Sequence, residues 1–236
     1  MWLSDKIAFF IKSIIDFIFP PLCLGCNQEI DSGFLCANCS KQIFNAWLGV
    51  CAKCGYPVGY NERCQHCKTG MVLPRTRALG YYTPPLLPLI HALKYEGKKS
   101  LVKILGRALA GLLNSDPILR KADAIVPIPL HPARERERGF NQAFLLGLEI
   151  AQLTGIPLVN VLKRKKNTKS QTQLVTEERI LNMQGAFSLK DQRIVNNQKI
   201  VLIDDVITSG ATINSAAQTL LSAGAGAVYG LVIARA

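Results

Sequence analysis

No cysteine follows position 67, so thiol and disulfide chemistry is confined to the first third of this 236-residue chain. Acids are scarce as well. Sixteen Asp and Glu stand against 28 Lys and Arg, a formal charge of +12 at pH 7. That surplus favours polyanionic partners such as nucleic acid, membrane phospholipid or phosphorylated metabolites. Net charge alone also fits a basic protein without such a partner. Aromatic residues make up only 7% of the chain, which leaves little material for the serial base stacking of dedicated single-strand binders. Only three histidines are present. His91 and His131 lack ligand-like neighbours, and His66, between Cys64 and Cys67, reads as exposed filler. A glycine turn near the end of the chain is followed by no lysine, and G-x-G-x-x-G does not occur. These two gaps exclude a Walker loop and a dinucleotide fingerprint.

A long uninterrupted hydrophobic run is missing too. The opening "MWLSDKIAFFIKSIIDFIF" is broken by Asp5, Lys6, Lys12 and Asp16, and Pro-Pro follows without a small-residue cleavage site. It is too charged for a spanning helix and reads poorly as a signal peptide. Trp2, Ile7, Ile11, Ile14 and Ile18 recur at helical spacing, so residues 1–20 are expected to form an amphipathic helix ending before Pro20. That helix either packs on the protein's own core or rests on a membrane surface. The expected compartment is the cytoplasm, with the inner face of the membrane as the site of any peripheral contact.

All eight cysteines form four C-x-x-C pairs: Cys23/Cys26, Cys36/Cys39, Cys51/Cys54 and Cys64/Cys67. Each member of the first two pairs recurs 28 residues later, and nine residues separate the pairs within each copy. The segment 21–75 is therefore a duplicated module. Short C-x-x-C turns aim two thiolates at one point, which suits tetrahedral zinc. Asn27 and Gly55 follow the leading pairs and tolerate the left-handed backbone that turns amides back toward sulfur. Few large apolar residues lie between the pairs, so metal is expected to supply the missing stability. Two pairings stay open: each copy closes its own site, or outer and inner pairs cross. The expected content is one or two structural zinc ions.

From position 81 the texture changes. "LIHALKYEGKKSLVKILGRALAGLL" reads as helix interrupted near Gly97, with Leu101, Leu105, Leu109 and Leu112 on an apolar stripe and Lys99, Lys103 and Arg107 on a basic one. "DAIVPIPL", "GIPLVNVL", "KIVLIDD" and "AVYGLVIAR" read as strands. "FNQAFLLGLEIAQLTG" and "ATINSAAQTLLSAGA" read as helices, and "RKKNTKSQTQLVTEERILNMQG" as a basic polar loop followed by a short helix. Alternating strands and helices imply an α/β fold: a mostly parallel sheet with helices on both faces, spanning 76–236. Ligands of such sheets sit at the carboxyl ends of strands.

"VLIDDVITSGAT", residues 201–212, supplies that end. Unpaired amides at the start of the following helix, and its dipole, favour a phosphate. Gly210 and Ala211 allow close approach, and Thr208, Ser209 and Thr212 add hydroxyl donors. Asp204 and Asp205, one turn earlier, repel phosphate but accept from sugar hydroxyls or hold a metal. Phosphate at one end and vicinal hydroxyls at the other describe a ribose 5-phosphate. Two basic segments stand by. Arg134 and Arg138 in "HPARERERGF" are spaced to share a helix face just beyond a strand, either as an anion site or as a salt-bridged surface helix. Lys163, Arg164, Lys165, Lys166 and Lys169 fall within seven residues without an acid, as a clamp or a solvated loop.

The stretch 201–212 resembles the PRPP-binding motif of type I phosphoribosyltransferases. The cysteine module after "FPPLC", with "ALKYEGKKSL", "IVPIPLHPARERERGFNQA", "RKKNTKSQTQLVTEERILNMQGAF" and "AGAGAVYGLVIAR", resembles the ComF family, the competence-associated branch of that superfamily. The resemblance implies a phosphoribosyltransferase-like domain behind an N-terminal double zinc ribbon. It implies that Asp204 and Asp205 hold the ribose 2- and 3-hydroxyls of PRPP and that Thr208–Thr212 cradle its 5-phosphate. Arg134, Arg138 and Asn141 would flank the pyrophosphate loop. Arg164, Lys165, Gln171 and Arg179 would belong to the mobile loop that closes over PRPP, and magnesium would accompany it. The implied function is handling of single-stranded DNA during natural transformation, with competence helicase or channel proteins as partners. The alternative is an active enzyme that transfers phosphoribosyl from PRPP to an unidentified acceptor.

Overall fold

The computed structural model describes residues 20–45, 50–51, 53–56, 64, 67, 72–165, 185–191 and 195–236. The amphipathic segment ahead of Pro20, and Gln171 and Arg179, lie outside the described residues. A four-stranded sheet forms the centre, in the order β1 (Thr76–Tyr81), β6 (Ala227–Arg235), β5 (Lys199–Ile207), β2 (Ala124–Pro127). All three pairings are parallel. The inner strands β5 and β6 are nearly continuous apolar runs, as strands covered on both faces must be.

Period-2 alternation divides those runs between two cores. Val201, Ile203, Leu231 and Ile233 face one cluster with α2 (Leu86–Tyr95), α3 (Leu101–Ser115) and α5 (Gln142–Thr154). Ile200, Leu202, Val228 and Val232 face the other with α6 (Ala211–Ser222) and a small antiparallel ribbon. That ribbon pairs β3 (Leu162–Arg164) with β4 (Phe187–Leu189). Helices thus cover both faces, as the alternation of apolar runs implies. The expected strand in "GIPLVNVL" is split. Leu158 makes a parallel bridge to Ile125 at the sheet edge, and the chain then leaves the sheet to form β3. The remaining short helix, α4 (Pro132–Arg138), is capped by His131, whose Nδ1 accepts from the Ala133 amide at 3.2 Å.

The cysteine module lies along β1, the edge strand. Its helix α1 (Ala37–Asn45) sends Ile43 into the first core. Gly55, at φ 69°, sits so near the Thr76 carbonyl that a Cβ there would approach the oxygen to 2.7 Å. The Arg77 guanidinium donates to the Cys51 carbonyl at 3.3 Å. Tyr56 and Tyr81 meet edge to face at 5.6 Å. Covering an edge strand this way removes a template for unwanted strand pairing. At its base, Asp116 joins Arg75 and Arg77 at 2.7 and 2.8 Å, with all three side chains largely buried. No helix among the described residues is long and apolar enough to cross a membrane.

Candidate functional site

A cavity of about 300 Å³ opens at the carboxyl ends of β2 and β5. Its position follows from the topology: the ends of parallel strands present groups that no helix covers. Asp204 and Asp205 lie near the carboxyl end of β5, ahead of Val206 and Ile207, and because neighbouring strand residues point to opposite faces they diverge. Asp205 turns toward the α2–α5 face. There Lys94 Nζ meets one carboxylate oxygen at 2.6 Å, and Gln142 Nε2 donates to the other in a short bond. Asp205 is only 5% exposed. Gln142 Oε1 in turn accepts from Arg138 Nη1 at 2.6 Å. An Arg offers only donors and a carboxylate only acceptors, so the amide can take one orientation here. Both Asp205 oxygens keep spare lone pairs for a further donor.

Asp204 takes the other side. Its Oδ1 accepts from the Asp205 amide at 2.9 Å. Burial, reinforced by the neighbouring Asp205 charge, raises its carboxyl to about 7, against the pull of that amide, Lys94 and Arg164. Arg164 projects inward from β3 over Phe187, 5.7 Å from the ring centroid. Burial and the nearby Arg134 guanidinium lower its pKa, while Asp204 opposes them. Lys94, Arg134, Arg138 and Arg164 all line the cavity against two acids, so its walls favour an anion.

Beyond β5, Thr208 and Thr212 line this cavity. With Ser209, Gly210 and Ala211 they also wall an adjoining recess that shares Asp204. Gly210 caps α6 at φ 78°, a conformation that a side chain strains against. The first turn of α6, whose amides have no partner one turn back in the helix, therefore begins at this recess, and the Ala211 amide donates to Ser209 Oγ at 3.4 Å. Thr208, Thr212, both aspartates, Arg134, Arg138 and Arg164 thus surround the cavity, and Ser209, Gly210 and Ala211 wall the recess beside it.

Two of the sequence candidates lie elsewhere. Asn141 caps α5: its Oδ1 accepts from the Ala143 amide at 2.9 Å and its Nδ2 donates to the Ile128 carbonyl at 3.1 Å. It fixes the loop after β2 without lining the cavity. Lys165, next to inward-facing Arg164, is exposed and also does not line it. The structure adds Lys94, Gln142, Tyr82 and Tyr95 to the lining. Lys94 and Tyr95 stand in "ALKYEGKKSL" and Gln142 in "RGFNQA", and none of these three residues carried a chemical signal alone.

The cysteines resolve the open pairing. Cys23, Cys26, Cys36 and Cys39 form one group and Cys51, Cys54, Cys64 and Cys67 another, with sulfurs in each within 4.8 Å of one another. Each copy closes its own site. A tetrahedral Zn–S bond of about 2.3 Å implies sulfurs about 3.8 Å apart. The Cys26–Cys36, Cys54–Cys64 and Cys51–Cys67 separations are 3.7, 3.5 and 3.4 Å, which fits that geometry. Asn27 and Gly55 both adopt positive φ, 60° and 69°. Cys23 Sγ also accepts from the Cys36 amide at 3.2 Å. Burial works against its thiolate, but this and other amides hold the Cys23 pKa down at about 6. Four convergent sulfurs in each copy support structural zinc.

Comparison with known proteins agrees with both halves. Residues 14–68 match the double zinc ribbon domain and residues 95–234 the phosphoribosyl transferase domain. Competence protein F of Haemophilus influenzae is 32% identical over 224 residues, 91% of this chain and 96% of that protein. The DNA utilization protein YhgH of Escherichia coli is 31% identical over 217 residues, 89% of this chain and 94% of the relative. Competence protein ComFC of Bacillus subtilis is 28% identical over 197 residues, 80% of this chain and 79% of the relative.

Proposed function

The chain belongs to the ComF family, and from that premise we propose that it assists the uptake and handling of single-stranded DNA, with a pocket that binds PRPP or a related ribose 5-phosphate. One observation carries the ligand. Half-buried Asp204, buried Asp205 and four cations line a cavity of about 300 Å³, and a glycine-hydroxyl turn at a helix start walls the recess that adjoins it. The turn residues Thr208–Thr212 would seat the 5-phosphate through amides and hydroxyls. Asp204 and Asp205 would accept from the ribose hydroxyls. Arg134, Arg138 and Lys94 would meet the pyrophosphate, and Arg164 would close over it from β3. Magnesium bound with PRPP would neutralise pyrophosphate charge, and Asp204 and Asp205 are the carboxylates lining the cavity that would face it.

The names of the relatives, competence and DNA utilization, support the DNA half. The basic surplus supports it physically: phosphate contacts would dominate, and affinity would fall steeply with salt. Residence in the cytoplasm, contact of the first 20 residues with the inner face of the membrane, and docking of a helicase or channel protein extend this reading.

A second reading is phosphoribosyl transfer to an acceptor. It is favoured by Asp204, whose carboxyl, raised to about 7, exchanges a proton near neutral pH beside the ribose site. Positioning and charge stabilisation by the four cations would do most of the work.

The test is the pair Asp204→Asn/Asp205→Asn, measured for PRPP-induced thermal stabilisation in vitro and for transformation efficiency in cells. Loss of both is expected. Unchanged PRPP stabilisation overturns the pocket assignment, and normal DNA uptake despite lost PRPP binding overturns the coupling of pocket to uptake. Pyrophosphate release from PRPP with any nucleobase in the unsubstituted protein establishes the second reading.

A further inference from the structure

Aromatic residues are few, yet several gather at the mouth of the cavity. Tyr82 and Tyr95 line it, with His91 between them. The ring centroids of Tyr82 and His91 lie 6.4 Å apart and those of His91 and Tyr95 5.3 Å apart, the latter pair edge to face. Tyr82 Oη and His91 Nε2 are hydrogen-bonded at 3.1 Å. Arg138, itself a cavity residue, stacks its guanidinium 5.6 Å from the Tyr95 centroid.

Tyr95 is the anomaly in this row. As the last residue of α2 it projects over the cavity mouth and is 70% exposed. Water on a large aromatic ring is unfavourable, and the core offers no reason for a ring at this place. Its edge is held by His91 and its ring is met by Arg138, while Arg138 is held by Gln142. A ring fixed in this way loses little side-chain freedom when something stacks on it. The geometry is that of a stacking surface placed beside an anion site.

We propose that Tyr95, buttressed by His91 and Arg138, is the stacking platform for an unpaired nucleobase of a single strand whose phosphates are drawn to the cations of the adjoining cavity. This rests on the DNA reading above and gives it a place. Arg138 spans the two parts, since the same guanidinium stacks on the ring and faces the cavity. Stacking on one exposed ring tolerates any base and adds affinity that salt does not screen. It thereby supplies what a purely electrostatic surface lacks, a preference for strands that carry bases.

The test compares an oligodeoxythymidylate with an abasic strand of equal length, by fluorescence anisotropy at several salt concentrations, on the zinc-loaded full chain. The unsubstituted protein is expected to bind the base-bearing strand roughly tenfold more tightly, in line with one stacked base. Tyr95→Ala is expected to bind both strands equally while keeping the salt slope, because the cations remain. Tyr95→Phe is expected to retain the preference, because the ring remains. Equal binding of both strands by the unsubstituted protein, or an undiminished preference in Tyr95→Ala, overturns the platform and leaves the DNA reading standing. No binding of either strand at low salt overturns the DNA reading and the platform with it.

Discussion

Asp204→Asn is expected to stabilise the protein, and to do so only above acidic pH. Burial first, then the Asp205 charge, lifts the Asp204 carboxyl from an ordinary carboxylate value to about 7. A folded-state pKa above the unfolded one means that folding favours the proton. Below pH 4 the group is neutral in both states and costs nothing. As pH rises through 4 the unfolded chain ionises freely while the folded one resists, so stability is lost up to about pH 7 and then levels. A displacement of that size corresponds to at most ~4 kcal/mol. Solvent in the cavity reaches one edge of Asp204 and screens the charge, so ~1–3 kcal/mol is the working expectation. Asparagine keeps the oxygen that accepts from the Asp205 amide and removes only the charge. Thermal unfolding of zinc-loaded protein reads the result: at pH 8 the variant's Tm should rise by roughly 2–10 °C, and near pH 4 the two curves should nearly coincide. A difference that does not change with pH, or a lower Tm for the variant at pH 8, would refute the reasoning. The neighbouring cations would then be holding Asp204 as a settled carboxylate.

Two further outcomes concern the module and its seat. Asp116→Asn should cost ~3–5 kcal/mol in urea unfolding, because it leaves Arg75 and Arg77 buried without their carboxylate. Burial opposes the Asp116 charge, but Arg75, the Ile118 and Leu119 amides and Arg77 together hold its pKa below the usual value. Its contribution is therefore present above about pH 4 and lost as pH falls through the depressed pKa, and the variant should lack that acid limb. Elemental analysis of reduced protein should find two zinc ions per chain, and Cys36→Ser should leave about one, since each copy closes its own site. A single zinc in the unsubstituted chain, or loss of both in the variant, would contradict independent sites.

How much was legible in the sequence depended on whether a signal was contiguous. The 28-residue repeat of C-x-x-C pairs needs no partner elsewhere, and the double zinc ribbon matched there follows it directly. The turn 208–212 is likewise local, and it occupies the expected end of β5. Strand β1 was harder to see. "TRALGY" contains two small residues and an arginine, and it becomes a strand because β6 offers it a parallel partner. The division of "GIPLVNVL" between a sheet-edge bridge and β3 is also set by what lies beside it, since β4 captures its last residue, Leu162, together with Lys163 and Arg164. The divergence of the two aspartates was readable from strand period alone, because adjacent residues cannot share a face. Lys94 and Gln142 were not: they lie 111 and 63 residues from Asp205, and only packing of α2 and α5 on one face brings them to it.

That packing separates two kinds of site residue. The acids are rooted in β5, an inner strand: the β6 ladder runs past them, and the β2 ladder ends just before them, at Ile203. The cations come from α2, α4 and β3, on long side chains, of which Lys94 is tied to Asp205 and Arg138 to Gln142 until a ligand replaces those partners. On the proposed reading, hydroxyl recognition by Asp204 and Asp205 would be geometrically strict, while recognition of the anion would be more tolerant. Such a pocket would select for a ribose and accept variation in what the ribose carries. PRPP would meet that requirement and bring its pyrophosphate to the cations. A single strand would offer phosphates to the same cations, and its bases, outside the pocket, would fall to Tyr95 at the rim. The division between a strict sheet and a permissive wall is what would allow one cavity to serve a ribose phosphate and a strand in turn.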